Sequence, residues 1–191
     1  MANVAAAFGF RHVGYLSGSG PDYQQATRLI QSTNTTKIFT GDPVSKSGAY
    51  IIQQTSTTTV TEGIFVGCVY TPSGGVPTWS PFWPGAAAVD ATAYVINAPN
   101  ALFLAAALNT AITPTNIGNG ISFATGTGST VGGGFSGYTV DQGTLTNATT
   151  ATFQVYSMYN GIGNGSDTTT AFNWVVLAFN SQRFKNMAGV T

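Results

Sequence analysis

The stretch EGIFVGCVYTPSGGVPTWSPFWPG, residues 62–85, contains three parts from which the fold can be predicted. GIFVGCVYT (63–71) is a run of β-branched, aromatic and small apolar residues, which is typical of a buried strand. TPSGGVP (71–77) predicts a turn, because its two glycines can take the positive φ that tight turns require. TWSPFWPG (78–85) is a proline-stiffened aromatic segment that belongs at the edge or corner of a sheet, since proline cannot donate to a strand ladder. Strand, turn and edge segment together indicate a β protein.

Similar short apolar runs recur along the chain between clusters of Gly, Pro, Asn and Ser, and helical periodicity is nearly absent. This pattern points to a β-sandwich, a jelly roll or a small barrel. We expect an all-β jelly roll or β-sandwich of about eight to nine strands. The predicted strands are 36–44, 49–55, 63–71, 91–98, 101–108, 120–125, 135–140, 150–159 and 171–184.

Two of these strands are apolar on both faces. In TATFQVYSMY (150–159) and AFNWVVLAFN (171–180), neither alternating set of side chains is fully polar. Such a strand has to be covered on both faces, by a second sheet, by an arm or by a partner.

Residues 1–35 differ from the rest of the chain, because they set aromatic side chains among small residues and Gly-Ser spacers. We expect an extended N-terminal arm that docks these aromatics elsewhere, with a flexible tail as the alternative; free tails seldom carry so many aromatics. Residues 36–191 then form a single β-sandwich or jelly-roll domain, and a chain that starts near Thr36 should still fold. The Gly-rich loop near 118–137 is either mobile or a place where two backbones pass closely.

The charge of the chain is unusually low. Only 6% of its residues are charged, against about 25% in ordinary soluble domains, and the six basic and six acidic residues cancel. A chain without clustered Lys and Arg has no means of neutralising phosphates, so we expect no nucleic-acid partner. A neutral, Thr-rich surface suits a protein that works in an assembly, and it suits an ordinary secreted β domain equally well.

The residues that carry most catalytic chemistry are scarce, with one His, one Cys and one Glu. His12 lies in the expected arm, away from any nucleophile motif, and we interpret it as a contact residue. Cys68 lies inside an apolar strand and is expected to be a buried thiol, while Glu62 precedes that strand and resembles a solvated charge. The five aspartates are isolated, and the Gly-rich segment fits neither phosphate-binding pattern. We therefore expect no enzyme activity, metal or cofactor.

The longest strongly apolar run, ALFLAAAL at 101–108, is far shorter than the roughly 20 residues that span a bilayer. The start of the chain lacks the basic region of a secretory signal. One cysteine cannot form an internal disulfide. These features predict no membrane partner and synthesis in a reducing cytoplasm.

The opening FGFRHVGYLSGSG (8–20) resembles the FGFRPVG-type start of small virion proteins of tailed bacteriophages. His12 stands where that pattern more often has Pro, which would loosen the start of the arm. The resemblance covers most of the chain and is weakest over 118–147. Further blocks that resemble the same pattern follow in the same order: IFTGDPV (38–44), GIFVGCVYT (63–71), FWPG (82–85), DATAYVINAPNALF (90–103) and FNSQRF (179–184).

The resemblance implies a capsid decoration, or cement, protein of the jelly-roll type, made in the bacterial host cytoplasm and placed on the virion capsid surface. Its partners would be the major capsid protein and further copies of itself, as a dimer or trimer. The alternative is a carbohydrate- or receptor-binding β module of a phage tail or spike, and a small hydrolase using His12 or Cys68 is a third and weaker hypothesis.

The residues expected at the capsid or self interface are aromatic, with one arginine among them. Stiff aromatic side chains and arginine are over-represented as interface anchors. For the proline-flanked aromatics after the turn, a plug that closes one end of the protein's own core is an equal alternative. The expected interface residues are Phe8, Phe10, Arg11, Tyr15, Tyr23, Trp79, Phe82 and Trp83.

Overall fold

The computed structural model describes residues 2–22, 24–131, 133–147 and 149–186. Across them the regular secondary structure is almost entirely β-strand, which confirms the predicted all-β fold of the sandwich and jelly-roll type. A 3-10 turn lies at Pro114–Asn116 and a helical turn, α1, at Arg183–Asn186. The strands are β1 (Arg11–Tyr15), β2 (Ala26–Ile30), β3 (Ile38–Phe39), β4 (Pro43–Ser47), β5 (Tyr50–Gln53), β6 (Thr61–Tyr70), β7 (Thr78–Ser80), β8 (Phe82–Trp83), β9 (Ala91–Ile96), β10 (Ala101–Ala106), β11 (Gly120–Ala124), β12 (Thr139–Thr146), β13 (Phe153–Met158) and β14 (Trp174–Phe179).

Each predicted strand overlaps a strand of the structure, with three differences in detail. The predicted strand 135–140 corresponds to β12, which begins only at Thr139 and runs to Thr146. The predicted strand 36–44 is divided into β3 and β4 by a turn at Gly41, whose positive φ of 94° interrupts the ladder. The predicted strand 171–184 ends at Phe179, and the chain then turns into α1. The strands that the sequence did not reveal are β1, β2, β7 and β8, all of five residues or fewer.

Sheet I has the strand order β1-β10-β14-β13-β11-β12. Its inner face supplies most of one hydrophobic core, including Phe103, Phe153 and Leu177, all fully buried. The outer face is less well covered: Tyr156 of β13 is 46% exposed. The expected covering of both faces of β13 is therefore not achieved within the chain itself.

Sheet II has the order β4-β5-β2-β9-β6-β7, and β4 also pairs with β6. Because β4 pairs with β5 on one side and β6 on the other, the strands β4, β5, β2, β9 and β6 close into a ring. The ring encloses a second hydrophobic core that includes Ile30, Val44, Phe65 and Trp83.

Strand β6 joins the two cores. Phe65 packs in the ring core, whereas its neighbour Ile64 packs in the sheet I core, as alternation along a strand requires. This explains why β6 reads as a continuous apolar run and not as an alternating one.

Residues 1–35 do not form the expected separate arm. β1 pairs with β10 at the edge of sheet I, and β2 lies inside the ring between β5 and β9. The predicted boundary at residue 36 is wrong for a physical reason: both sheets need a strand from this segment. The sequence obscured this, because β1 and β2 are short and β1 contains a register shift.

In the Gly-rich segment two backbones pass closely. This was one of the two interpretations of the sequence, the other being a mobile loop. A Cβ atom placed on Gly126 would come within 1.9 Å of the carbonyl oxygen of Gly137. Phe135 in the same segment forms a bridge with Thr40. The segment therefore lies against β3 and the turn that follows it.

Candidate interaction surface

The three aromatics after the proline-rich turn have different positions. Trp83 is fully buried in the ring core, and its indole Nε1 donates to the backbone carbonyl of Asn34 over 2.9 Å. Phe82 is partly buried and stacks on Phe39, with 5.9 Å between ring centroids. Trp79 is 59% exposed. The plug interpretation is correct for Trp83, and Trp79 is the residue left free to contact a partner.

Trp79 has a fixed position on the surface although it is exposed. It lies on β7, the last strand of sheet II, opposite Val69 of β6. Its ring covers Gly67, where a Cβ atom would come within 3.1 Å of the ring. Glycine at 67 thus allows the indole to lie against the sheet and leaves its other side open to solvent.

The expected aromatic anchors of the N-terminal segment are buried in the chain's own structure. Phe10 stacks on Phe153 with 4.5 Å between centroids, and Phe8 meets Trp174 edge-on at 5.0 Å. Tyr15 belongs to the sheet I core and donates its hydroxyl to Asp22. These side chains stabilise the domain and are not free for a partner. Tyr23 lies outside the described residues.

Arg11 remains exposed, and it lies at the mouth of a groove. Its guanidinium is over the ring of Phe8 at 4.8 Å and over the ring of Phe135 at 5.1 Å. The groove has a volume of about 400 Å³ and is bounded mainly by apolar side chains of β1, β6, β9 and β10, among them Val66 and Leu104. We call it the Arg11 groove.

The Arg11 groove and Trp79 are neighbours on one surface. Val66, which lines the groove, is the extra residue of a register shift in β6, and Gly67 beneath Trp79 follows it directly. The hydroxyl of Thr40 lies 2.7 Å from the carbonyl oxygen of Val66 and 2.5 Å from that of Pro81, and it shares its one proton between them. This contact links β6 to the residue that precedes β8. We call the area formed by Arg11, Val66, Trp79 and Phe135 the aromatic surface.

Two residues of the aromatic surface, Arg11 and Trp79, were expected at an interface from the sequence, whereas Val66 and Phe135 were not. Phe135 lies in the Gly-rich segment, which gave no sign of a contact with Arg11. Val66 reads as one more apolar residue of a buried strand, but it alternates with Phe65 and so points away from the ring core, against the sheet I core. The pairing of distant segments, which no local pattern records, brings these residues together.

Cys68 and His12, for which we expected no catalytic role, are both buried. Cys68 is fully buried, and desolvation raises the pKa of its thiol to about 12. His12 is buried against Tyr15 and Phe103, its Nε2 lies 3.0 Å from the carbonyl of Gly14, and burial lowers its pKa. A thiol with a raised pKa is a poor nucleophile at neutral pH.

Asp42, in the IFTGDPV block, is buried, and its carboxylate accepts hydrogen bonds from two other segments. Its Oδ2 accepts from the backbone N–H of Phe39 at 2.8 Å and from Nε2 of Gln53 at 2.7 Å. Burial raises the pKa of this carboxyl. These hydrogen bonds hold the turn between β3 and β4 against β5, and Thr40 lies in this turn.

Glu62 is buried within β6, and its interpretation as a solvated charge is wrong. Its carboxylate accepts from Nε of Arg28 at 2.5 Å and from Nε of Arg183 at 2.8 Å. Buried carboxylates require such pairing, because desolvation of a lone charge is very costly. The burial was not visible in sequence, since its two partners come from β2 and α1.

Among the described residues, no three His, Cys, Asp or Glu side chains are grouped as metal ligands would be. Within the same part of the chain, no helix is both long and apolar enough to cross a bilayer. No family model, curated protein or solved structure matches the chain.

Proposed function

We propose that this chain is a virion structural protein that binds the outside of an expanded icosahedral capsid. There it cements neighbouring copies of the major capsid protein and stabilises the DNA-filled head. Copies of the chain associate with one another on the capsid surface. The observation that carries the proposal is the aromatic surface, where an exposed tryptophan and an exposed arginine are held in fixed positions on a nearly uncharged protein.

The composition of the aromatic surface supports an interface. Tryptophan and arginine are the residues most enriched at the energetic centres of protein interfaces. Trp79 is already fixed over Gly67, and Arg11 is already fixed over Phe8 and Phe135, so binding orders few additional side chains. On a closed lattice of many copies, contacts of modest strength are sufficient because neighbours raise the effective concentration.

Three of the blocks that resemble phage virion proteins supply residues of this surface or residues that hold it in place. The first block supplies Arg11, the IFTGDPV block supplies Thr40, and the GIFVGCVYT block supplies Val66 and Gly67. Three of the six blocks therefore contribute to or support the aromatic surface, whereas Trp79 and Phe135 lie outside the blocks.

Co-sedimentation with expanded capsids of the cognate phage tests the proposal. The chain should bind saturably and appear as a stoichiometric band in purified virions. Trp79→Ala should weaken binding by about 30-fold, the size of a hot-spot loss. Ile162→Ala is the matched control, because Ile162 is also exposed but lies in the loop between β13 and β14. Equal binding by the two variants, or no band in virions, contradicts the proposal.

A second candidate function rests on Trp79 alone. An exposed indole with one open side can stack on a sugar ring, and nearby Thr side chains can donate to its hydroxyls. A carbohydrate-binding module of a phage tail or spike would respond to host surface polysaccharides with a change in Trp fluorescence that Trp79→Ala abolishes. Absence of any response across such polysaccharides removes this candidate.

A further inference from the structure

We propose that the Arg11 groove binds one large apolar side chain of a partner protein segment, and that a carboxylate of the same segment pairs with Arg11. The proposal rests on the proposed function only in assigning that segment to the capsid or to a neighbouring copy. It adds the chemistry of the segment: a large apolar residue next to Asp or Glu.

The groove has the size and lining for an apolar side chain. Its volume of about 400 Å³ lies at the small end of the range of roughly 300–1,000 Å³ found for ligand pockets. Val66 and Leu104 lie partly exposed in its wall, with Ile64 and Ile96 deeper. Covering this apolar wall with a partner's side chain removes it from water, which is favourable.

The positive charge of Arg11 beside the groove favours a carboxylate next to the apolar side chain of the bound segment. Both ion pairs among the described residues involve Glu62, so Arg11 has no carboxylate partner there. The aromatic rings of Phe8 and Phe135 hold its guanidinium in place and leave its N–H groups without a described acceptor. A planar guanidinium matches the two oxygens of a carboxylate.

The shape of the site favours a protein segment over a free small molecule. The groove is open to solvent, and Val66 in its wall is followed directly by Gly67, which lies beneath the Trp79 ring. A chain whose apolar side chain occupies the groove can therefore run on toward the indole. An extended segment anchored at such points by alternate side chains is a common mode of peptide recognition.

A titration of the isotope-labelled chain with short peptides, followed by NMR, tests this site. The probes are Ac-Phe-Asp-NH2, Ac-Phe-Asn-NH2 and Ac-Ala-Asp-NH2. The first should shift the methyl signals of Ile64, Val66 and Leu104 and bind about threefold more tightly than the Asn peptide, as expected for an exposed ion pair. The Ala peptide should bind more weakly than either Phe peptide, because it leaves the groove unfilled.

Two variants test the role of the Arg11 charge. Arg11→Gln should remove the preference for Asp over Asn and retain the methyl shifts caused by the Phe peptides. Leu104→Glu should also remove the preference, because residue 104 is the cross-strand partner of Arg11 and would supply a carboxylate from the chain itself. Lys46→Gln, which removes an exposed cation of β4, is the matched control and should leave the preference unchanged.

The site is disproved if Ac-Phe-Asp-NH2 fails to shift the groove methyls, if the Phe and Ala peptides bind equally, or if the Asp preference survives in both variants. The titration uses the chain alone, so a failure to bind capsids leaves its result intact. Conversely, a failed titration disproves the groove as a binding site and leaves the proposed capsid binding through Trp79 unaffected.

Discussion

Arg183 donates from its Nε to Oε2 of Glu62 over 2.8 Å and joins residues that are 121 positions apart in the chain. Glu62 lies in β6, and Arg183 begins α1, so this ion pair fixes the C-terminal segment to the strand that the two cores share. Gln182 strengthens the connection, because its side-chain amide donates to the carbonyls of Glu62 and Asn97 at 3.3 and 3.2 Å.

Loss of Arg183 should therefore destabilise the domain. Arg183→Gln leaves the buried carboxylate of Glu62 with Arg28 alone, and we expect the free energy of unfolding to fall by about 1–3 kcal/mol in urea titrations. Lys46→Gln removes an exposed cation with the same chemical change and should cost less than about 0.5 kcal/mol. Equal effects of the two substitutions would show that the ion pair contributes nothing to stability.

Deletion of residues 1–35 should prevent folding, in contrast to the expectation from the sequence that a chain starting near Thr36 folds. The deletion removes β1 from the edge of sheet I and β2 from the ring, together with the buried Phe10 and Ile30. The measurement is a thermal unfolding curve, which should lose its cooperative transition. A chain that begins at Asn3 is the control and should unfold cooperatively; a cooperative transition in the shorter chain would contradict the assignment of these strands.

Alanine substitution of the two tryptophans in the proline-rich segment should lower the free energy of unfolding by very different amounts. Trp83→Ala removes a fully buried indole from the ring core and should lower the free energy of unfolding by about 3–5 kcal/mol. Trp79→Ala removes a largely exposed one and should cost less than about 1 kcal/mol. Urea unfolding of both variants measures the difference, and similar costs would contradict their assignment to core and surface.

Asp42 should make stability depend on pH. Burial raises its pKa above the ordinary value of 3.8, so the folded state binds the proton more tightly than the unfolded state does. The contribution of this group to stability is then present at low pH and is lost as the pH rises through the folded-state pKa. As the pH rises above about 4, the stability of Asp42→Asn relative to the native chain should increase.

Urea unfolding of both chains at several pH values measures this difference. The aspartates with lowered pKa values act in the opposite direction, but they are present in both chains and cancel; they are Asp22, Asp90 and Asp167. A difference that does not change with pH would show that Asp42 keeps its ordinary pKa in the folded protein.

Cys68 should be unreactive until the protein unfolds. Its thiol is fully buried with a pKa of about 12, so little thiolate forms at neutral pH and a reagent cannot reach it. A chromogenic disulfide reagent should detect no thiol in the native chain and one per chain in denaturing urea. Rapid reaction of the native chain would place the thiol at the surface.

The strands that could be predicted from sequence were the long apolar ones, such as β6 and β14, because burial of a whole strand leaves a continuous apolar run. The short strands β1 and β2 were missed, since their pairing and not their composition makes them strands. β7 and β8 lie in the segment 78–85, which was expected at the edge or corner of a sheet, and β7 is the last strand of sheet II. Arg11 and Trp79 were expected at an interface from the sequence, and both are exposed in the structure.

The sequence by itself determined the all-β class, the turn at 71–77 and the burial of Cys68, because these follow from local composition and from the geometry of glycine and proline. Only the tertiary structure decided which of Trp79 and Trp83 is exposed, since the two are close in sequence and equally apolar. It also decided that Glu62 is buried, because the two arginines that permit its burial come from opposite ends of the chain. The physical reason is the same in both cases: burial depends on which distant strands pair, and the local sequence does not contain that information.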